Sequence, residues 1–171
     1  MDTVVIAGMG GDLTARIVEA AAWLKKERTR LLLQPMTKAD HLRQYLYQNG
    51  FFVSEEKAVV SGKFVYTVFS AQYDGKQRQL SLLETYIGKA LEGNSPDTDR
   101  YLVRIRSNLL RRIAGIDQSQ GLQRDLQKKT EYQTVIRMLE EILQERNYVY
   151  NTADIPEDRG TGAIFNTGTL G

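Results

Sequence analysis

The sequence predicts an α/β fold: part of a doubly wound parallel sheet, followed by an antiparallel helical hairpin. Three observations carry this reading. An apolar run from Asp2 to Ala7 empties through Gly8-Met9-Gly10-Gly11 into a helical pattern. A second short apolar run, Arg30-Leu-Leu-Leu-Gln-Pro35, is also followed by a helical pattern. Beyond Gln79 the apolar residues recur at three- and four-residue steps, the spacing of helices packed in pairs.

Each element follows from its local pattern. The β-branched opening run, bounded by glycines, reads as a buried strand. Leu13, Ile17, Ala20, Ala21 and Leu24 recur at helical spacing, so Leu13 to Arg28 reads as a helix. Arg30 to Pro35 reads as a second parallel strand, cut off by its proline, with Gln34-Pro35-Met36 at its carboxyl end. Thr37 is placed to cap a helix through Leu42, Tyr45 and Leu46, which Asn49-Gly50 ends in the left-handed way. Phe51 to Val60 and Lys63 to Tyr73 are β-rich, and Ser61-Gly62 between them predicts a hairpin. A doubly wound sheet has strands on both sides of its switch point and helices on both faces. Two parallel strands and a hairpin are half of one. Such a half exposes an edge and part of a face, so the expectation is that a partner or a missing N-terminal half covers them.

The second zone reads as helical throughout. A short helix through Leu82, Leu83, Tyr86, Ile87 and Leu91 ends near Gly93-Asn94. Ser95-Pro96 opens the next in the favoured order, cap then proline. That helix carries Leu102, Ile105, Leu109 and Ile116, and a later one carries Tyr132, Val135, Leu139 and Ile142. Two such stripes joined near Gly115 to Gly121 predict an antiparallel hairpin, coiled-coil-like over about two heptads each. The expected domains are therefore residues 1–78 (α/β), 79–150 (helical coiled coil) and 151–171, a mobile tail with Pro156 and several glycines.

Composition narrows the function. The net charge of +2 is too small to argue for a nucleic-acid partner by itself. Without cysteine there are no disulfides or thiolate metal sites, and one histidine, His41, argues against a histidine-rich metal site or a Ser-His-Asp triad. No apolar run approaches the roughly 18 residues of a membrane span, and the acidic start is unlike a signal peptide. A soluble, cytoplasmic protein is expected.

The Gly-rich turn carries the chemistry. Parallel strands present ligands at their carboxyl ends, and backbone amides at such a turn can approach a ligand closely. Gly8-x-Gly10-Gly11 is neither a dinucleotide fingerprint nor a P-loop, and it reads equally as tight strand–helix packing. Met9 could wall a flat aromatic ligand. Gln34, beside it on the neighbouring strand, could bond a base edge or a cofactor, while the plainer reading of Pro35 is a strand stop. His41 reads as a partly exposed helix histidine without nearby partners, and Asp12 is the chief acid in reach, which leaves paired-carboxylate chemistry unsupported. Arg100, Arg104, Arg106, Arg111, Arg112, Arg124, Lys128 and Lys129 crowd the helical zone. Of these, Arg100, Arg104 and Arg111 share a face and could neutralise RNA phosphates; a solvated helical surface with a positive bias explains them as well.

Val5-Ile-Ala-Gly-Met-Gly-Gly11, Leu32-Leu-Gln-Pro35, Leu42-Arg43 and Asn49-Gly50-Phe51, followed by a hairpin and a helical hairpin, resemble one family over residues 2 to 148. It is the bacterial tRNA (adenine-22-N1)-methyltransferases, which use S-adenosyl-L-methionine. The resemblance implies a Rossmann-like class I methyltransferase sheet whose fourth strand is the opening one here. It implies that Gly8, Met9, Gly10, Gly11, Gln34 and Pro35 line the methyl-transfer site, and that the helical hairpin holds tRNA through Arg104, Arg111 and Arg100. Met36 stands where the family usually has asparagine. The family's main cofactor loop belongs to an earlier half that this sequence does not contain, so the chain alone is expected to bind the cofactor poorly. The alternative is a non-catalytic RNA-binding or helical interaction module.

Overall fold

The computed structural model of the chain describes residues 2–26, 29–92, 95–118 and 123–150. The expected tail and the link between the two long helices fall outside these residues. Four strands form one sheet: β1 (Asp2–Gly10), β2 (Thr29–Thr37), β3 (Phe51–Ser61) and β4 (Phe64–Tyr73), in the order β1-β2-β4-β3. β1 and β2 are parallel, and β4 is antiparallel to both β2 and β3. Helices α1 (Gly11–Ala20) and α2 (Ala39–Gln48) follow β1 and β2. The strand–helix–strand–helix–hairpin order is the one expected.

Both helices pack on the same face of the sheet. Val18, Leu24, Leu42 and Leu46 meet Ile6, Leu31, Leu33, Phe51, Val53, Phe69 and Ala71 in one buried cluster. The other face of β1 and β2 carries no helix among the described residues, and Val5 on it is 65% exposed. β1 is therefore not the buried strand its sequence suggests. It pairs on one side only, and Ile6 is its one buried residue. An apolar run reports what a strand is built to touch, not what is present to touch it.

Two further boundaries differ. α1 stops at Ala20, and a single 3-10 turn (Ala22–Leu24) follows it instead of a helix to residue 28. The buried face of α1 is Gly11, Thr14 and Val18, with Leu13 at the surface. A continued helix would place Leu24 about 120° away from Val18. The tighter turn swings Leu24 into the core instead. Likewise Pro35 does not end β2, which runs on to Thr37. The β4 ladder stops at the Leu33–Phe69 pair, so the proline withholds no donor from it. Thr37, expected as a cap, is the last strand residue, and Lys38 precedes α2 in the left-handed region at φ 54°.

The helical zone consists of α3 (Leu82–Ile87), a 3-10 turn (Ala90–Glu92), α4 (Pro96–Gln118) and α5 (Gln123–Glu145). Ser81 and Glu84 close a reciprocal capping box at the start of α3. The ion pairs Asp99–Arg146, Arg106–Glu140 and Asp117–Lys129 climb one long helix as they descend the other, so α4 and α5 are antiparallel. Leu102, Leu109, Val135, Leu139 and Leu143 fill the seam. Gly115 lies inside α4, not in a connection. Ala58 and Val65, from the far half of the hairpin, join this second core, whereas Phe51, Val53, Phe69 and Ala71 from its near half belong to the first.

Where the two cores meet, a charged network is buried. Arg43 of α2 and Glu56 of β3 are each 1% exposed and pair at 2.5 Å. Arg43 also donates to Tyr101 Oη at 2.6 Å and, through Nη1, to the carbonyls of Thr85 and Tyr86 at 3.0 and 2.9 Å. Those carbonyls belong to the last turn of α3 and lack a helical partner, so Arg43 caps that helix from outside. Glu56 additionally accepts from Thr67 Oγ1 at 2.6 Å and Lys89 N at 3.1 Å. Burial works against the Arg43 charge, but Glu56 and Tyr101 outweigh it and hold the proton more firmly than usual.

Candidate active site at the ends of the parallel strands

The carboxyl ends of β1 and β2 lie side by side, with Met9 paired to Pro35 and Gly10 to Thr37. The pairing is interrupted on both sides of Met9, so Gly8 bulges out of the ladder. Gly8 sits at φ 76°, and a side chain there would meet nothing within 4 Å. The turn therefore opens onto free space. Gly11 is constrained differently: a β-carbon on it would run into the Lys38 carbonyl, because the first turn of α1 presses against the end of β2.

Gln34 braces the turn. Its Oε1 accepts the Gly8 amide at 2.8 Å, and its Nε2 reaches the Met36 thioether at 3.5 Å. A thioether is a weak acceptor, so the amide nitrogen keeps donor capacity for a ring nitrogen of a base. Met9 and Met36 flank the opening, 38% and 48% exposed. Of the six residues expected to line the site, Gly8, Met9, Gly10 and Gln34 reach the surface at this edge, whereas Gly11 and Pro35 are buried beneath it. Thr14 Oγ1, donating to the Gly10 carbonyl at 3.2 Å, fastens the end of the turn to α1.

The structure adds a cluster that spacing did not reveal. Asp12, in the first turn of α1, bonds Lys38 and lies 2.9 Å from His41 Nδ1. His41 therefore has a partner, contrary to the expectation. Residues 12 and 41 are 29 positions apart, and only the parallel pairing of their strands brings the two helix starts together. The Lys38 and His41 bonds hold the Asp12 carboxyl below its ordinary range. The adjacent Asp40 turns the other way and pairs with Arg112 of α4 at 2.9 Å. Burial would raise the Asp40 carboxyl, yet the Arg112 bond and charge outweigh it and leave the carboxyl lowered. Through these two consecutive residues, the first turn of α2 ties the glycine turn to the helical pair.

The expected RNA-facing arginines divide. Arg112 is taken by Asp40, Arg106 by Glu140, Lys128 by Glu131 and Lys129 by Asp117, so half of the basic crowd is internally neutralised. Arg100, Arg104 and Arg111 are exposed, and Arg111 bonds Asn108 and the Ser107 carbonyl on its own helix. Among the described residues no cluster of acids and histidine is built to hold a metal ion, and no helix is long and apolar enough to cross a membrane.

A family model described as TrmK, tRNA (adenine(22)-N(1))-methyltransferase, matches residues 1–142. A tRNA (adenine(22)-N(1))-methyltransferase of Bacillus subtilis (strain 168) is 36% identical over 81 residues, covering 43% of this chain and 34% of its own length. Among solved structures, an uncharacterized protein from Listeria monocytogenes serotype 4b aligns with a TM-score of 0.65 at 28% identity, over 84% of this chain and 63% of that one. The Streptococcus pneumoniae protein Sp1610, a putative tRNA (m1A22) methyltransferase in complex with S-adenosyl-L-methionine, aligns with a TM-score of 0.61 at 25% identity, over 80% of this chain and 60% of that one. The chain spans about a third of the curated relative's length and about three-fifths of these structures.

Proposed function

The chain belongs to the tRNA (adenine(22)-N(1))-methyltransferase family, and on that footing we propose that it supplies one wall of a methyl-transfer site together with a surface that holds tRNA. The reaction is methyl transfer from S-adenosyl-L-methionine to N1 of an adenine in tRNA, which places the protein in the cytoplasm with its substrate. The observation that carries the reading is the Gly8 bulge, open above and braced by Gln34, at the carboxyl ends of two parallel strands.

The described residues fit the methyl-bearing end of the cofactor and the target base. The opening above Gly8 is walled by two exposed thioether side chains, and Gln34 offers a donor. The ribosyl end is a different matter. A ribose diol asks for a free carboxylate, and the acid at this edge, Asp12, is engaged by Lys38 and His41. Cofactor affinity of the chain alone is accordingly expected to be low.

S-adenosyl-L-methionine, when bound, supplies a methyl group activated on a sulfonium. The adenine N1 lone pair forms the new carbon–nitrogen bond, the carbon–sulfur pair stays on sulfur, and the positive charge passes to the base. No proton has to be removed, which suits a rim whose described acid, Asp12, is paired with Lys38 and His41. The work left to these residues is positioning. The adenine has to leave its stack to reach the turn. There Met9 and Met36 give its ring an apolar face, and Gln34 Nε2 holds one ring nitrogen. Arg100, Arg104 and Arg111 hold the tRNA by its phosphates.

The test is a chimera in which this chain replaces the matching part of the Bacillus subtilis relative, supplied with labelled S-adenosyl-L-methionine. Label is expected in a tRNA transcript with adenine at position 22 and not in one with guanine there. A folded chimera that binds both tRNA and cofactor but transfers no methyl group would refute the reading.

A further inference from the structure

We propose that the open face of the β3–β4 hairpin is a stacking platform for unpaired bases of RNA. Residues directly opposed across antiparallel strands share a face. Lys57–Val68, Val59–Tyr66 and Ser61–Phe64 are such pairs, and they project away from the side whose Ala58 and Val65 enter the second core. The face is apolar and open, with Val59 39% and Phe64 51% exposed. The Phe64 and Tyr66 rings stack on one another at 6.1 Å and 27°. Lys63 Nζ stands 5.4 Å from the centre of the Phe64 ring.

Single exposed apolar residues call for no explanation. A parallel pair of rings with a lysine beside one of them does. Along this face Lys63 stands at the Phe64 end, and Arg30 and Lys57 border the Val59 and Val68 end with Glu55, which Lys57 pairs at 2.8 Å. An apolar protein partner needs no such excess of positive charge. A strand of RNA needs both parts, because its bases offer flat faces to aromatic rings and its phosphates offer negative charge. Asp97 accepts the Val60 amide at 3.2 Å, so the start of α4, with Arg100 one turn on, lies against this same hairpin. The platform thus continues the proposed tRNA surface onto a sheet face. Its partner class rests on the tRNA reading above, but it requires neither cofactor nor methyl transfer.

The experiment uses the full chain and two probes, a ten-nucleotide oligoadenylate and the same strand annealed to oligouridylate. A Trp23→Phe, Phe64→Trp variant places the only tryptophan on the platform. Its fluorescence is expected to be quenched on saturation with the single strand and little changed by the duplex. Phe64→Ala with Tyr66→Ala is expected to weaken single-strand binding about 10- to 100-fold and to leave duplex binding within about twofold. The proposal is overturned if the double variant binds oligoadenylate like the wild type, or loses single strand and duplex equally. It is also overturned, in favour of a protein partner, if the double variant abolishes a self-association of the wild type while oligoadenylate binding is unchanged. Loss of tRNA affinity on reversing Arg104 and Arg111 is a separate readout, so failure of the platform and failure of the tRNA reading are told apart.

Discussion

Arg43→Met removes the cation at the junction of the two cores while leaving its surroundings in place. Glu56 is 1% exposed, so the carboxylate cannot turn to water. Two bonds to it remain, from Thr67 Oγ1 and Lys89 N, but its charge is no longer balanced. The last carbonyls of α3 lose their donor at the same time. Breaking a buried pair from one side costs about 3–5 kcal/mol. That is a large share of the roughly 5–15 kcal/mol that holds a typical domain together. With a urea dependence of about 2 kcal/mol per molar, the midpoint falls by about 2 M. Circular dichroism during urea unfolding at pH 7 reads the shift directly. Adding Glu56→Leu removes the stranded charge, and the double variant recovers part of the loss but not all of it, since Tyr101, Thr67 and the α3 carbonyls stay unpaired. A loss below about 1 kcal/mol in the single variant would mean that the network does not join the cores as described.

Gly11→Ala drives a β-carbon into the Lys38 carbonyl and is expected to cost about 1–3 kcal/mol, as overpacking does, in the same urea assay; an unchanged midpoint would mean that α1 and the end of β2 are not in contact. The Asp40–Arg112 pair has a pH signature. The Asp40 carboxyl is lowered from its ordinary 3.8 in the folded chain, so its stabilisation is complete above about pH 4 and is lost as the pH falls through the lower native value. Asp40→Asn should therefore be less stable than wild type at pH 7, with the gap narrowing as the pH falls below about 4, and a constant gap would contradict the pairing. Arg104→Glu with Arg111→Glu should weaken tRNA binding about tenfold or more in gel shifts and flatten its salt dependence. The same affinity in the double variant would remove the proposed basic face.

Much of the architecture was legible because it is local. Asn49-Gly50 and Ser61-Gly62 mark boundaries through a positive φ that few residues but glycine adopt, and Ser95-Pro96 through a cap followed by proline, and the structure has breaks at each. The glycine turn between β1 and α1 was legible for the same reason. What was missed depends on contacts between distant segments. The Asp12–His41 bond joins positions 29 apart, and Arg43 reaches across 58 positions to Tyr101. Nothing in the pattern around Arg43 distinguishes it from a surface arginine, apart from its place on the same helix face as Leu46 and Asn49-Gly50 after it. The capping box at Ser81–Glu84 was in plain view as Ser-x-x-Glu. The basic crowd in the helical zone was overcounted, because residue type alone does not tell Arg112, bound to Asp40, from exposed Arg104.

The turn at Gly8–Gly11, braced by Gln34, is proposed to face the base that is methylated. Gln34→Ala in the chimera with the Bacillus subtilis relative tests it most directly, by single-turnover methyl transfer alongside tRNA affinity. The side chain is half-buried at the end of β2 and, among the described residues, bonds Gly8 and Met36, so the fold and the tRNA surface should survive its loss. The expected result is a transfer rate lower by about tenfold or more with tRNA affinity within about twofold, the mark of an interaction used in the transition state. An unchanged rate would contradict it.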